Sequence, residues 1–146
     1  MESIFTKKVA YVLKSLYYLE VVRGNEMTSV VDIAAKLEVP KRFLEQLFLK
    51  LRKGGILDAV RGATGGYRLR MPLAEISYRH LLDVLEEQPR GPESAIGSFG
   101  EEAFVENLRQ RVEDLTGEIN LGALVTEAMR RRAHAARAGD SFVYHI

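Results

Sequence analysis

Residues Phe43 to Leu69 read FLEQLFLKLRKGGILDAVRGATGGYRL, and the change of period inside this stretch decides the fold. The first half is helical. Leu44, Leu47, Phe48 and Leu51 recur three or four apart and face inward, while Lys41, Arg42, Glu45, Gln46 and Leu49 fall on the other side. Gly54-Gly55 ends the helix, with Lys50, Arg52 and Lys53 beside its negative C-terminal dipole. The second half has a period of two. ILDAV and GYRLRM are short strand candidates, with Tyr67 and Leu69 alternating against Arg68 and Arg70. Pro72 closes the unit.

Between the strands stand Gly62, Gly65 and Gly66, flanked by Arg61 and Arg68. A phosphate-cradling loop should follow a buried parallel strand and open a helix. These glycines lead into a strand, and no Gly-Lys-Ser/Thr triplet occurs. A hairpin fits better. Three glycines permit positive φ at a tight tip. A tip poor in side chains lets backbone lie against phosphates, or lets Arg61 enter a minor groove. A plain hairpin with solvated arginines is the alternative.

Outward from this stretch, residues 7–23 read as one helix. Val9, Val12, Leu13, Leu16 and Leu19 keep helical spacing, and Gly24-Asn25 supplies a stop. Tyr11, Tyr17 and Tyr18 widen its apolar surface. A short helix over 30–37 begins with Ser29 and Asp32 as a capping pair and buries Val30, Ile33, Ala34 and Leu37. Pro40 suits the first position of the next helix, which runs to Lys53. Ser77 caps a helix over 78–88, with Leu81, Leu82, Val84 and Leu85 apolar. Residues 88–100, QPRGPESAIGSFG, read as a loop. A charged helix over 101–117 carries Phe104, Leu108, Val112 and Leu115 as a narrow seam suited to a partner helix. A last helix over 121–137 has Leu121, Leu124, Val125, Ala128 and Met129 on one face, and the tail SFVYHI is apolar.

The 146 residues fit one domain with an appended arm, and 47% apolar content is ordinary for a globular chain. The absence of cysteine excludes disulfides, thiol catalysis and any cluster held by the chain's own thiolates. MESIFTKKVA holds no apolar core of signal-peptide length, and no apolar run approaches a membrane span, so a cytoplasmic protein without membrane contact is expected. The net charge of +1 conceals an asymmetry. Residues 1–90 carry 15 Lys/Arg against 11 Asp/Glu, and residues 91–146 carry 6 against 9. Within 39–70 eight basic residues face only Glu45 and Asp58, which points to a polyanion.

Two short helices, a three-residue turn, a basic second helix and a hairpin compose a winged-helix pattern. In that arrangement the N-terminal residues of the second helix meet base edges in the major groove. Arg42 can donate to guanine or phosphate, Gln46 can bond adenine bidentately, and Glu45 can accept from cytosine. An amphipathic surface helix would show the same spacing. His80, His134 and His145 share no metal-ligand spacing, so no metal site is expected. Glu86-Glu87 and Glu101-Glu102 read as solvated helix ends, and Arg130-Arg131-Arg132 as complementing the C-terminal half of its helix. No constellation of residues supports an enzyme.

The ordered elements LEQLF, LRK-G-G-I, VRG-x-x-GGY and P-x-x-E-I-S resemble the Rrf-two family of winged-helix transcription regulators, the group of IscR, NsrR and CymR. TKKVAYVLKSLYYL is similar to the family's first helix and VVDIAAKLEVP to its second. The likeness covers about 1–88 well and 101–130 loosely. It implies a mainly α fold, an α+β winged helix-turn-helix, with a DNA-binding domain over 1–88, a loop over 89–100, and a dimerisation helix, C-terminal helix and tail over 101–146. It also implies a homodimer on a near-palindromic operator of double-stranded DNA, expected to act as a repressor. A winged helix used only as a protein-interaction module is the alternative.

On that resemblance Arg42, Glu45 and Gln46 are base readers. Pro40, Lys41 and the Arg61 wing position the protein, with Lys50, Gly65, Gly66 and Arg68 completing the DNA-contacting set. Phe104, Leu108, Val112 and Leu115 are the dimerisation residues. Many members hold an iron–sulfur cluster with three cysteines in the loop after the fourth helix. Here that loop, GPESAIGSFG, has neither Cys nor His, so no cofactor is expected. The signal is left to a protein partner or small-molecule effector, received in a pocket between the dimerisation helix and the winged domain or at the SFVYHI tail.

Overall fold

Thr6 opens the first helix, its hydroxyl accepting the Val9 N–H at 3.3 Å, and α1 runs over Lys7–Tyr17. Its inner face is the expected one, with Val9, Val12 and Leu16 buried. The structure, a computed structural model, describes residues 6–85 and 101–138. The expected continuous helix over 7–23 is not what forms. After Tyr17 the backbone widens into a π-helical turn, Tyr18–Val22, and the Arg23 N–H bonds the Tyr18 carbonyl at 2.9 Å. Two tertiary demands meet in that turn. Leu19 is fully buried, and the adjacent Glu20 carboxylate accepts the Leu73 N–H at 2.8 Å. Gly24 and Asn25 then stop the helix at φ +58° and +60°.

Helix α2 spans Val30–Leu37, with the Ser29 hydroxyl accepting the Asp32 N–H at 3.1 Å. Ile33 and Ala34 are buried, while Val30 and Leu37 pack on the core only in part. Glu38 in the left-handed region and buried Val39 make the turn into α3, Lys41–Lys53. Pro40 stands one residue before the helix as its N-cap rather than as its first residue. Leu44, Leu47, Phe48 and Leu51 are all at most 2% exposed. Each such side chain stabilises the fold by roughly 1.5–3 kcal/mol, so α3 is anchored firmly by one face.

Strands β1 (Leu57–Val60) and β2 (Gly66–Leu69) pair antiparallel, with Leu57 opposite Leu69 and Val60 opposite Gly66. A short 3₁₀ turn, Leu73–Glu75, leads to α4, Tyr78–Leu85, capped by the Ser77 hydroxyl on the His80 N–H. The expected end of that helix and the loop after it lie outside the described residues. Helix α5 spans Glu101–Glu118 and α6 spans Leu121–Arg137. Among the described residues they meet the winged unit at α4 and at the 3₁₀ turn. Arg79 on α4 reaches Asp83 at 2.9 Å and Glu113 on α5 at 3.0 Å. Burial opposes the Arg79 charge, but hydrogen bonds to the two carboxylates outweigh it and hold the guanidinium above its ordinary pKa. The start of α6 docks on the 3₁₀ turn. Tyr78 N–H bonds the Ile119 carbonyl at 2.8 Å, Leu121 N–H bonds Ile76 at 3.0 Å, and Asn120 donates to Ala74.

The expected apolar face of α6 is only partly internal. Leu121 is buried and Val125 packs on the core, but Leu124, Ala128 and Met129 are exposed; among the described residues it is the start of α6 that docks on the winged unit. Arg130 and Arg131 both pair with Glu127. No described helix is long and apolar enough to cross a membrane.

Candidate nucleic-acid interface

The anchoring of α3 dictates what its other face offers. With four apolar residues turned inward, Lys41, Arg42 and Gln46 are exposed and Glu45 is half-buried. Lys41 lies 3.6 Å from Glu45, one turn on, an exposed pair of small energetic weight. Pro40 is exposed and offers no side-chain cap, so the first N–H groups of α3 have no side-chain partner. Such a helix start suits a phosphate oxygen. Lys50 is half-buried, and Arg52 and Lys53 are exposed at the other end.

The hairpin sets Arg61, Arg68 and Arg70 in solvent. Asp58 stands opposite Arg68 in the ladder. The tip turns over a Gly65 N–H to Gly62 carbonyl bond of 3.1 Å. The expectation of three positive-φ glycines needs correction. Gly62 and Gly66 have φ of +116° and +143°, but Gly65 does not, and it is glycine for lack of room beside the Val60 carbonyl. Gly66 is also closed to a side chain, by the Thr28 backbone. Their small size thus serves the hairpin itself.

Ring packing and backbone hydrogen bonds tie this wing to the helices. The Tyr67 ring meets Phe48 of α3 edge-on, centroids 5.0 Å apart. Thr28, just before α2, exchanges backbone hydrogen bonds with Tyr67 at 2.8 and 3.0 Å. Reading by sequence missed Thr28 and Asn25, whose side chain brackets Leu69. The one local signal is an Asn directly after a Gly, a pair that by itself implies only a helix stop.

On α5 the expected seam is exposed within the chain. Phe104 is 75%, Leu108 58% and Leu115 62% exposed, and Val112 is half-buried. Among the described residues, six of the ten exposed large apolar side chains lie on α5 and α6, so the apolar surface is concentrated there. A separate open apolar groove of about 370 Å³ lies along α1 and α2, lined by Leu13, Lys14, Tyr17, Tyr18, Val22 and Leu37. His80 Nε2 lies 3.3 Å from the Gly54 carbonyl. No group of three or more His, Asp or Glu among the described residues could hold a metal. His145 and the SFVYHI tail lie outside the described residues.

The fold and this basic face define the winged helix-turn-helix class of transcription regulators. Residues 5–127 match the Rrf2 family, described as iron-dependent transcriptional regulators, and the chain belongs to that family. It is 35% identical over 77 residues to the HTH-type transcriptional regulator IscR of Cereibacter sphaeroides, a match covering 53% of this chain and 50% of that one. The match thus spans half the length of that relative. IscR of T. potens superposes with a TM-score of 0.68 at 27% identity, covering 85% of this chain and 87% of that one. CymR of B. subtilis, the global cysteine regulator, superposes with a TM-score of 0.67 at 25% identity, covering 87% and 98%. The family description names iron, yet this sequence has no cysteine. The residues present do not fit a thiolate-held cluster.

Proposed function

We propose that the chain is a sequence-specific DNA-binding regulator that acts in the cytoplasm as a homodimeric repressor and has no enzymatic activity. The observation that carries this reading is the division of α3. One face is locked into the core, and the opposite face presents Lys41, Arg42 and Gln46 beside a wing whose arginines are exposed. Arg42 and Gln46 read base edges, with Glu45 accepting from cytosine where Lys41 releases it. Pro40 and the α3 N-terminus, Lys41, Lys50, Arg61 and Arg68 hold the backbone, with the Gly65-Gly66 backbone close against it.

The exposed Phe104, Leu108 and Leu115 support dimerisation through α5. A two-fold pair sets its two α3 helices about one helical turn, roughly 34 Å, apart on the DNA and so reads a near-palindrome. Bound there, the dimer blocks transcription. Without thiolates it takes its signal from a partner protein or a small effector rather than from a cluster of its own. Selection of bound duplexes from a random pool, with and without cell extract, tests the reading. The expected result is an enriched near-palindrome, strengthened or lost when extract supplies the effector. Recovery of no preferred sequence in either arm contradicts it and favours a protein-interaction module.

A further inference from the structure

The outer edge of β2 is held by residues outside the DNA-contacting set. Just beyond the ladder, the Arg70 N–H bonds the Ile56 carbonyl at 2.9 Å. Alternation along an antiparallel pair then turns the N–H and C=O groups of Tyr67 and Leu69 away from β1. Left bare, that edge would allow the hairpin to pivot on its base. Both positions are filled. Tyr67 exchanges its two backbone bonds with Thr28. Leu69 is bracketed by one side chain: Asn25 Oδ1 accepts the Leu69 N–H at 2.7 Å, and Asn25 Nδ2 donates to the Leu69 carbonyl at 3.1 Å. The carboxamide does the work of a peptide group in a third strand.

Asn25 is itself fixed. Its φ of +60° follows Gly24 at +58°, and its N–H bonds the Leu19 carbonyl at 2.7 Å. Asparagine is among the few side chains that accept this left-handed backbone. Three residues on, Thr28 is 4% exposed; its hydroxyl donates to the Glu26 carbonyl at 2.9 Å and accepts from Arg23 Nε at 3.2 Å. The next residue, Ser29, caps α2. Residues 23–29 therefore hold the base of the wing and the first helix of the helix-turn-helix on one frame.

The hairpin is a lever on that frame. Leu57 to Arg61 spans about 14 Å at ~3.4 Å per residue, so a pivot of about 10° at the base displaces the tip by roughly 2.4 Å. That is enough to carry a guanidinium out of hydrogen-bond range. We infer that Asn25 is a positioning residue for the wing: without touching DNA, it sets where Arg61 meets the backbone or minor groove. The inference rests on the DNA-binding reading above.

Asn25→Gly keeps the left-handed backbone and removes the carboxamide. Operator affinity is measured over a series of salt concentrations for the wild type, Asn25→Gly, Arg61→Ala and the double variant, each at a temperature where circular dichroism shows it folded. Asn25→Gly should weaken binding on the order of tenfold and lower the salt slope by about one, as Arg61→Ala does. The double variant should bind within about twofold of Arg61→Ala alone. Asn25→Asp, which keeps the acceptor and loses the donor, should fall between. Full affinity in Asn25→Gly overturns the inference and leaves the DNA reading standing. So does an equal loss in both backgrounds, or a lowered Tm with an unchanged salt slope. If Asn25→Gly does not fold, a wild-type salt slope in folded Asn25→Asp overturns it equally. A wild type that selects no sequence removes both readings.

Discussion

Tyr67 stands edge-on to Phe48, ring centroids 5.0 Å apart and planes at 70°, so the second strand of the wing rests on the helix proposed to read bases. Phe48 is fully buried and Tyr67 half-buried, which places the contact where the wing leaves the core. Phe48→Ala should cost about 3–5 kcal/mol in urea unfolding, since it opens a cavity at the centre of α3 packing. Tyr67→Leu keeps most of the buried area and should cost only about 0.5–1.5 kcal/mol, the aromatic part of the contact. Equal losses from the two would contradict the placement of Phe48 in the core and Tyr67 at its margin.

Gly62 and Gly66 both have positive φ, but only Gly66 is pressed against a neighbour, the Thr28 backbone. Gly66→Ala should therefore cost more than Gly62→Ala, which meets open space and pays only backbone strain on the order of 1 kcal/mol. Thermal unfolding of the two variants gives the comparison. A Gly62→Ala loss equal to or larger than that of Gly66→Ala would show that the Thr28 contact does not constrain the wing.

Leu108 is 58% exposed on α5 within the chain. Leu108→Lys should leave the helical circular dichroism unchanged and shift sedimentation from dimer to monomer at micromolar concentration. A wild type that sediments as a monomer, or a variant that stays dimeric, would remove α5 from the proposed interface.

Much of this architecture is legible locally. The inner face of α3, the Gly54-Gly55 exit, the Ser29 and Ser77 caps and the two wing strands all follow from spacing and from residues within four positions of each other. What escaped was set at a distance. The π-helical turn answers to Leu73, 53 residues beyond Glu20, and the Asn25 clamp to Leu69, 44 residues on. The Arg79–Glu113 pair spans 34 residues. In the sequence Gly65 reads as a conformational glycine, yet it is a steric one, because its constraint is the Val60 carbonyl across the tip. On α6 the periodic face is visible in the sequence, but periodicity does not say that, among the described residues, Leu121 and Val125 pack on the core while Leu124 and Met129 stay exposed.

The central claim is that α3 reads bases while the wing holds the backbone, and the salt dependence of operator binding by Gln46→Ala and Arg61→Ala tests it most directly. Gln46→Ala should relax one base preference, at a cost of about 1–3 kcal/mol on the preferred operator, and keep the wild-type salt slope. Arg61→Ala should weaken binding to all sequences alike and lower the salt slope by about one. Wild-type affinity and an unchanged salt slope in both variants would contradict the account.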